Sequence, residues 1–167
     1  TSLTNVNGTL FFAASNDTNG IELWKSDGTD VGTVQVKDIN AGPGSSGPDI
    51  FTVVGSQVFF FASDGLHGLE LWKSDGTAAG TVLVKDIFAG GGTSDPRYLT
   101  SVNGTLFFSA TDGSNGVELW KSNGTGAGTT LVKNINTGSG DSYPSSITAV
   151  GNTLYFFASD GTTGNEL

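Results

Sequence analysis

Gly20-Ile21-Glu22-Leu23-Trp24-Lys25-Ser26-Asp27-Gly28-Thr29 is the stretch from which the fold can be read. It returns as Gly68 to Thr77, and again as Gly116 to Thr125 with Asn123 where the earlier copies carry Asp. The tryptophans fall at 24, 72 and 120, a period of 48 residues with no insertion. The chain therefore divides into units 1–48, 49–96 and 97–144, with a partial fourth unit at 145–167. Side chains alternate faces along a strand, so Ile21 and Leu23 share one face and Glu22 and Trp24 the other. A strand with apolar groups on both faces calls for a neighbouring sheet on each side.

Working outward, each full unit shows four strand-like runs separated by turn residues. In the second unit they are 50–54, 57–62, 69–73 and 81–87. Asn7-Gly8 and Asn103-Gly104 suit two-residue hairpins, because both residues tolerate positive φ. Pro48, Pro96 and Pro144 stand in register just ahead of each first strand, where no ladder bond is lost. No stretch has sustained helical periodicity. Tandem four-strand meanders of this length predict an all-β, propeller-type array of four-stranded antiparallel blades, with the fourth blade incomplete. Trp24, Trp72 and Trp120, Leu23, Leu71 and Leu119, and Glu22, Glu70 and Glu118 form its expected repeated framework. Lys37, Lys85 and Lys133 on the fourth strands are expected to pair with those glutamates across the sheet.

Composition narrows the function. The 26 glycines mark turn chemistry, and the absence of cysteine excludes disulfides and thiolate metal sites. A net charge of −9 argues against nucleic acid and against anionic lipid. No apolar run is long enough to span a bilayer as a helix. The chain begins at Thr1, so it reads as a processed or excised piece. The partial fourth unit would leave Leu154 to Phe157 near an unpaired edge, to be covered by further repeats of a longer chain or by other copies.

Glu-Leu-Trp-x-x-Asp-Gly-Thr, followed by Gly-Thr and Val-Lys-Asp-Ile, resembles the ELWxxDGT-repeat proteins. The resemblance covers essentially the whole chain. It implies a large bacterial secreted or surface protein with propeller-like sheets, and it implies no reaction. Asn123 and Asn134 depart from the pattern, which weakens any role needing a carboxylate in every copy.

Among residues that could carry chemistry, Asp27 and Asp75 lie in Asp-Gly turns, with Asp64, Asp112 and Asp160 in another set of loops. Calcium takes about six to eight oxygens, and each loop offers one carboxylate, so Asp27 and Asp75 are weak candidates and turn capping is the commoner use. No other metal or cofactor is expected. Glycosidase-like paired carboxylates are disfavoured because the glutamates recur in equivalent surroundings, whereas an active site needs one asymmetric constellation. His67 is the only histidine and has no partner for a metal site or triad. The chain reads as non-enzymatic.

The units differ most in their loops: Asp17, Asn19, Asp64, His67, Asp112, Asn115 and Asp160, with Tyr98 and Tyr143 in the linkers. A constant scaffold with one variable face suits recognition. Asn7, Asn16, Asn103 and Asn123 fit the N-glycosylation pattern. The expectation is an extracellular structural or interaction module that associates end to end into a ring or filament. The alternative is a multivalent carbohydrate-binding propeller.

Overall fold

The structure, a computed structural model, describes residues 3–167. Every regular element among them is a strand. The first unit holds β1 (Thr4–Val6), β2 (Thr9–Ala14), β3 (Glu22–Ser26) and β4 (Val34–Lys37). The second holds β5 (Asp49–Val54), β6 (Gln57–Ala62), β7 (Glu70–Ser74) and β8 (Val82–Lys85). The third holds β9 (Arg97–Val102), β10 (Thr105–Thr111), β11 (Val117–Ser122) and β12 (Thr130–Lys133), and the fourth β13 (Ser145–Val150), β14 (Thr153–Ser159) and β15 (Asn165–Glu166). Each unit is one antiparallel meander, four-stranded in the first three and three-stranded in the last. The protein is thus all-β, built of four antiparallel sheets that close into no barrel or ring among the described residues.

Local chemistry sets the turns. Asn7 and Gly8 adopt φ of 51° and 89° between the paired residues Val6 and Thr9, and Asn103-Gly104 repeats this between Val102 and Thr105. The β3–β4 turn is held by a side-chain ring. Asp27 Oδ1 accepts from the Thr29 amide and hydroxyl at 2.9 and 2.7 Å, Thr29 Oγ1 accepts from Gly32 N, and Thr33 Oγ1 donates to the Thr29 carbonyl. Asp75 and Asn123 head the same ring in the next two units. A Cβ at Gly32, Gly80 or Gly128 would collide with that capping side chain, so only glycine closes the turn.

The sheets shield one another. Val58, Phe60, Ala62 and Trp72 of the second sheet pack on Val6, Phe11, Leu23, Val36 and Ile39 of the first unit. From its other face, Phe59, Phe61, Leu71 and Val84 pack on Leu106, Phe108, Ala110 and Trp120 of the third sheet. The consecutive first strands β1, β5, β9 and β13 lie against one another in series. Polar links repeat at the same step. Lys37 Nζ sits 5.9 Å from the Trp72 ring centre and donates to the Thr81 carbonyl at 2.8 Å; Lys85 does the same over Trp120 and to Thr129.

That geometry corrects the expected Glu–Lys pairing. Lys37 lies opposite Leu23 and reaches the next sheet instead. Glu22, Glu70 and Glu118 are fully buried and turn to backbone. Glu22 accepts from Ile39 N at 2.8 Å, Ser46 N at 2.9 Å and Ser46 Oγ at 2.6 Å. Glu70 takes Ile87 N and Ser94, and Glu118 takes Ile135 N and Ser142 Oγ. Each glutamate thereby pins the linker to the following sheet, satisfying donors that burial would otherwise leave unpaired. Burial pushes the Glu70 carboxyl above its ordinary range, although Ser94 and the Ile87 and Phe88 amides pull the other way.

Candidate functional site

The loops joining second to third strands pack directly on the inter-unit linkers. Leu69 N donates to Thr93 Oγ1, Ser94 N to the Leu69 carbonyl, and Thr111 N to the Ser94 carbonyl. Loop and linker therefore lie together along one side of the sheets, where the unit-to-unit differences concentrate.

In that loop the acidic residue is a cap. Asp64 Oδ1 accepts from Leu66 N and His67 N, both at 2.9 Å, and Asp112 and Asp160 cap their loops in the same way. In the first unit the cap is Asn16, bonded to Thr18 N and Asn19 N, while Asp17 is exposed beside it. These amide bonds hold the Asp160 carboxyl far below its usual range. Asp64 is also depressed: burial pushes it upward, but His67 and the loop amides outweigh that. His67 Nδ1 lies 2.7 Å from Asp64 Oδ2, and this contact raises the imidazole above its ordinary value. Asn115 does the same job without charge, donating to Asp112 Oδ2 at 2.7 Å. Asn134 reverses the polarity of a neighbouring link. Asp38 and Asp86 accept from Gly42 N and Gly90 N, whereas Asn134 Nδ2 donates to the Gly138 carbonyl.

Asp27 and Asp75 are spent on turn caps, whose hydroxyl and amide bonds lower both carboxyls. Among the described residues no three His, Asp or Glu side chains gather as a metal-holding group. Asn7, Asn16, Asn103 and Asn123 are all exposed; Asn16 and Asn123 are already engaged as caps through Oδ1.

Of the residues singled out on the variable face, the structure brings Tyr98 and Tyr143 together. Both line a cleft of about 520 Å³ between the third and fourth sheets. Asp17 and Asn19 share one loop, Asp64 and His67 a second, Asp112 and Asn115 a third, with Asp160 in a fourth, and none of them lines it. Asp95 and Arg97 stand at the cleft, with Asp95 Oδ2 accepting from Arg97 Nη2 at 2.8 Å and Nε at 3.1 Å. Asp95, Tyr98 and Tyr143 have φ of 43°, 56° and 47°. Such conformations cost bulky residues about 1–3 kcal/mol each. The position of Asp95 and Tyr143 is Gly47 in the first unit, where positive φ carries little cost. That of Tyr98 is a bulge in the second, third and fourth units, shared by Ile50 and Ser146.

Sequence reasoning missed what opens the cleft. Positions 13, 61, 109 and 157 are equivalent and read Ala, Phe, Ser, Phe. Phe61 is buried between the second and third sheets. Ser109 lines the open cleft at the next junction, and Ala13 lines a cleft of about 410 Å³ at the previous one. Aligning the units at period 48 shows the size change; only the packing shows its consequence.

No family model matches the sequence, and no characterised protein does. Among solved structures, the crystal structure of the computationally designed Ika8 protein matches with a TM-score of 0.50 at 16% identity, over 96% of this chain and 43% of that one. The chain thus spans less than half the length of that structure. At this identity the likeness concerns fold alone, and it agrees with an all-β array.

Proposed function

We propose that the chain is a propeller-type structural and interaction module of the ELWxxDGT-repeat kind, working outside the cell or at its surface, whose outer faces stack on further repeats of the same kind, in a longer chain or in other copies. The observation that carries this reading is the difference between inner and outer faces. The second sheet is covered on both sides by contacts that recur every 48 residues. Its counterparts at the two ends carry similar residue types less fully covered. Trp24 is only half-buried where Trp72 and Trp120 are 5% exposed, and Tyr155 and Phe157 are 45% and 41% exposed where Phe59 and Phe61 are buried. One end thus offers what the internal junctions already join to the other. Contacts of this head-to-tail type give a ring where the rotation closes and a filament where it does not. The exposed loops would be displayed on the rigid stack.

Light scattering and electron microscopy test this. Assemblies larger than one chain are expected, reverting to monomer in a Tyr155→Asp/Phe157→Asp double variant. A wild-type chain that stays monomeric at high concentration contradicts the proposal.

A further inference from the structure

We propose that the cleft between the third and fourth sheets binds a neutral saccharide, one per chain, with the sugar's apolar face on the Tyr98 and Tyr143 rings and its hydroxyls met by the Asp95–Arg97 pair and the serines behind it. The proposal does not depend on end-to-end association, because Tyr155 and Phe157, on which that association rests, do not line the cleft.

Three independent features converge there. The first is space. Phe61 fills the corresponding depth one junction earlier, and Ser109 leaves about 520 Å³ open, within the usual range for small-ligand sites. The second is aromatic surface. Tyr98 replaces the Ile50 and Ser146 of its equivalents, and Tyr143 replaces Gly47 and Asp95, so two tyrosines meet at this junction alone. The two residues are 47% and 63% exposed, held on backbone that bulky residues seldom adopt. The same positive φ recurs at Ile50 and Ser146 and at Gly47 and Asp95, so the backbone belongs to the repeat and the tyrosine side chains are what set this junction apart.

The third feature is polarity without net charge. Arg97 is committed twice to one oxygen of Asp95, which leaves the pair neutral with spare donors and a spare acceptor. Ser145, Ser159 and Asn165 add hydroxyls and an amide along the wall, with Ser109 buried at its back. An anion would meet a neutralised arginine in a chain of net charge −9. A wholly apolar ligand would strip water from the serines and return no hydrogen bonds. A sugar presents C–H groups to an aromatic ring and hydroxyls to the rim, which matches both halves of the lining.

The test uses saturation-transfer NMR and calorimetry on the full chain. The probes are methyl glucoside, methyl galactoside, methyl mannoside and N-acetylglucosamine, with glucuronate as the anionic control. At least one neutral sugar is expected to bind at one site per chain. Tyr98→Ala and Tyr143→Ala should each weaken it roughly tenfold or more. Ser109→Phe, a residue the neighbouring junction already accommodates, should abolish binding while circular dichroism and the melting temperature hold. Should that variant fail to fold, the two exposed tyrosines decide the matter alone. The proposal is overturned by no transfer to any neutral sugar, by binding indifferent to both tyrosines, by three equivalent sites per chain, or by glucuronate binding as well as the neutral sugars.

Discussion

The second and fourth sheets are built from nearly the same sequence and live in different surroundings. β6 carries Val58, Phe60 and Ala62 on one face and Phe59 and Phe61 on the other, and all five are buried. β14 carries Leu154, Phe156 and Ala158 toward the third sheet, while Tyr155 and Phe157 face outward and remain about half exposed. The difference teaches that burial in this protein belongs to position in the stack rather than to residue type. A single meander has two apolar faces and cannot cover either by itself. Stability is thus a property of junctions, and substitutions should hurt in proportion to how many covered faces they touch.

The largest effect is expected at the tryptophans. Trp72→Ala should cost about 3–5 kcal/mol in denaturant unfolding, since it empties a filled junction and removes the ring under Lys37. Trp24→Ala, on a half-covered face, should cost roughly half as much. Equal costs would break the comparison between inner and outer faces.

Glu70→Ala should come next, at about 3 kcal/mol, because it strands the Ile87 and Ser94 amides in the interior. Glu70→Gln should cost less, since one amide oxygen still accepts. A urea titration separates the two. If Glu70→Ala behaved like a surface change, the glutamate would not be what pins the linker.

The turn caps sharpen the point at smaller scale. Asp75→Asn should be close to neutral, because Asn123 already heads the same ring in the third unit. Asp75→Ala should cost about 1 kcal/mol. Gly80→Ala should cost more than that, since its Cβ runs into Asp75. Thermal melts of the three variants give the order directly.

The smallest effect is that of pH. The folded pKa of His67 is raised by Asp64, so the stability it contributes is fully present below about pH 6.5 and is lost as pH rises through the folded value. The carboxyls of Asp64 and Asp112 are lowered, so their contribution is present above about pH 4 and lost as pH falls through their folded values. A slight fall in melting temperature between about pH 6 and pH 8, absent in His67→Asn, is the expected signature.

The sheets were legible because their signals are local and repeated. The Asn-Gly turns, the alternating Leu-Trp strand and the period of 48 each point to the same meander, and β6 runs over the residues the pattern marks. Glu22 and its equivalents were misread because a strand glutamate near a lysine suggests a cross-strand pair. Nothing in the spacing tells that the β3–β4 register shifts between Leu23 and Trp24 or that the linker folds back onto the carboxylate. The cleft was half legible. Tyr98 and Tyr143 stand out as breaks in the repeat, whereas their convergence depends on the bulge at Tyr98 and on the small side chain of Ser109.

Acrylamide quenching of single-tryptophan variants, with the other two tryptophans changed to phenylalanine, tests the stacking of sheets most directly. In dilute solution Trp72 and Trp120 should resist the quencher and Trp24 should be reached more easily than either. Trp72 quenched as easily as Trp24 would contradict the claim that each inner sheet is covered on both faces by its neighbours.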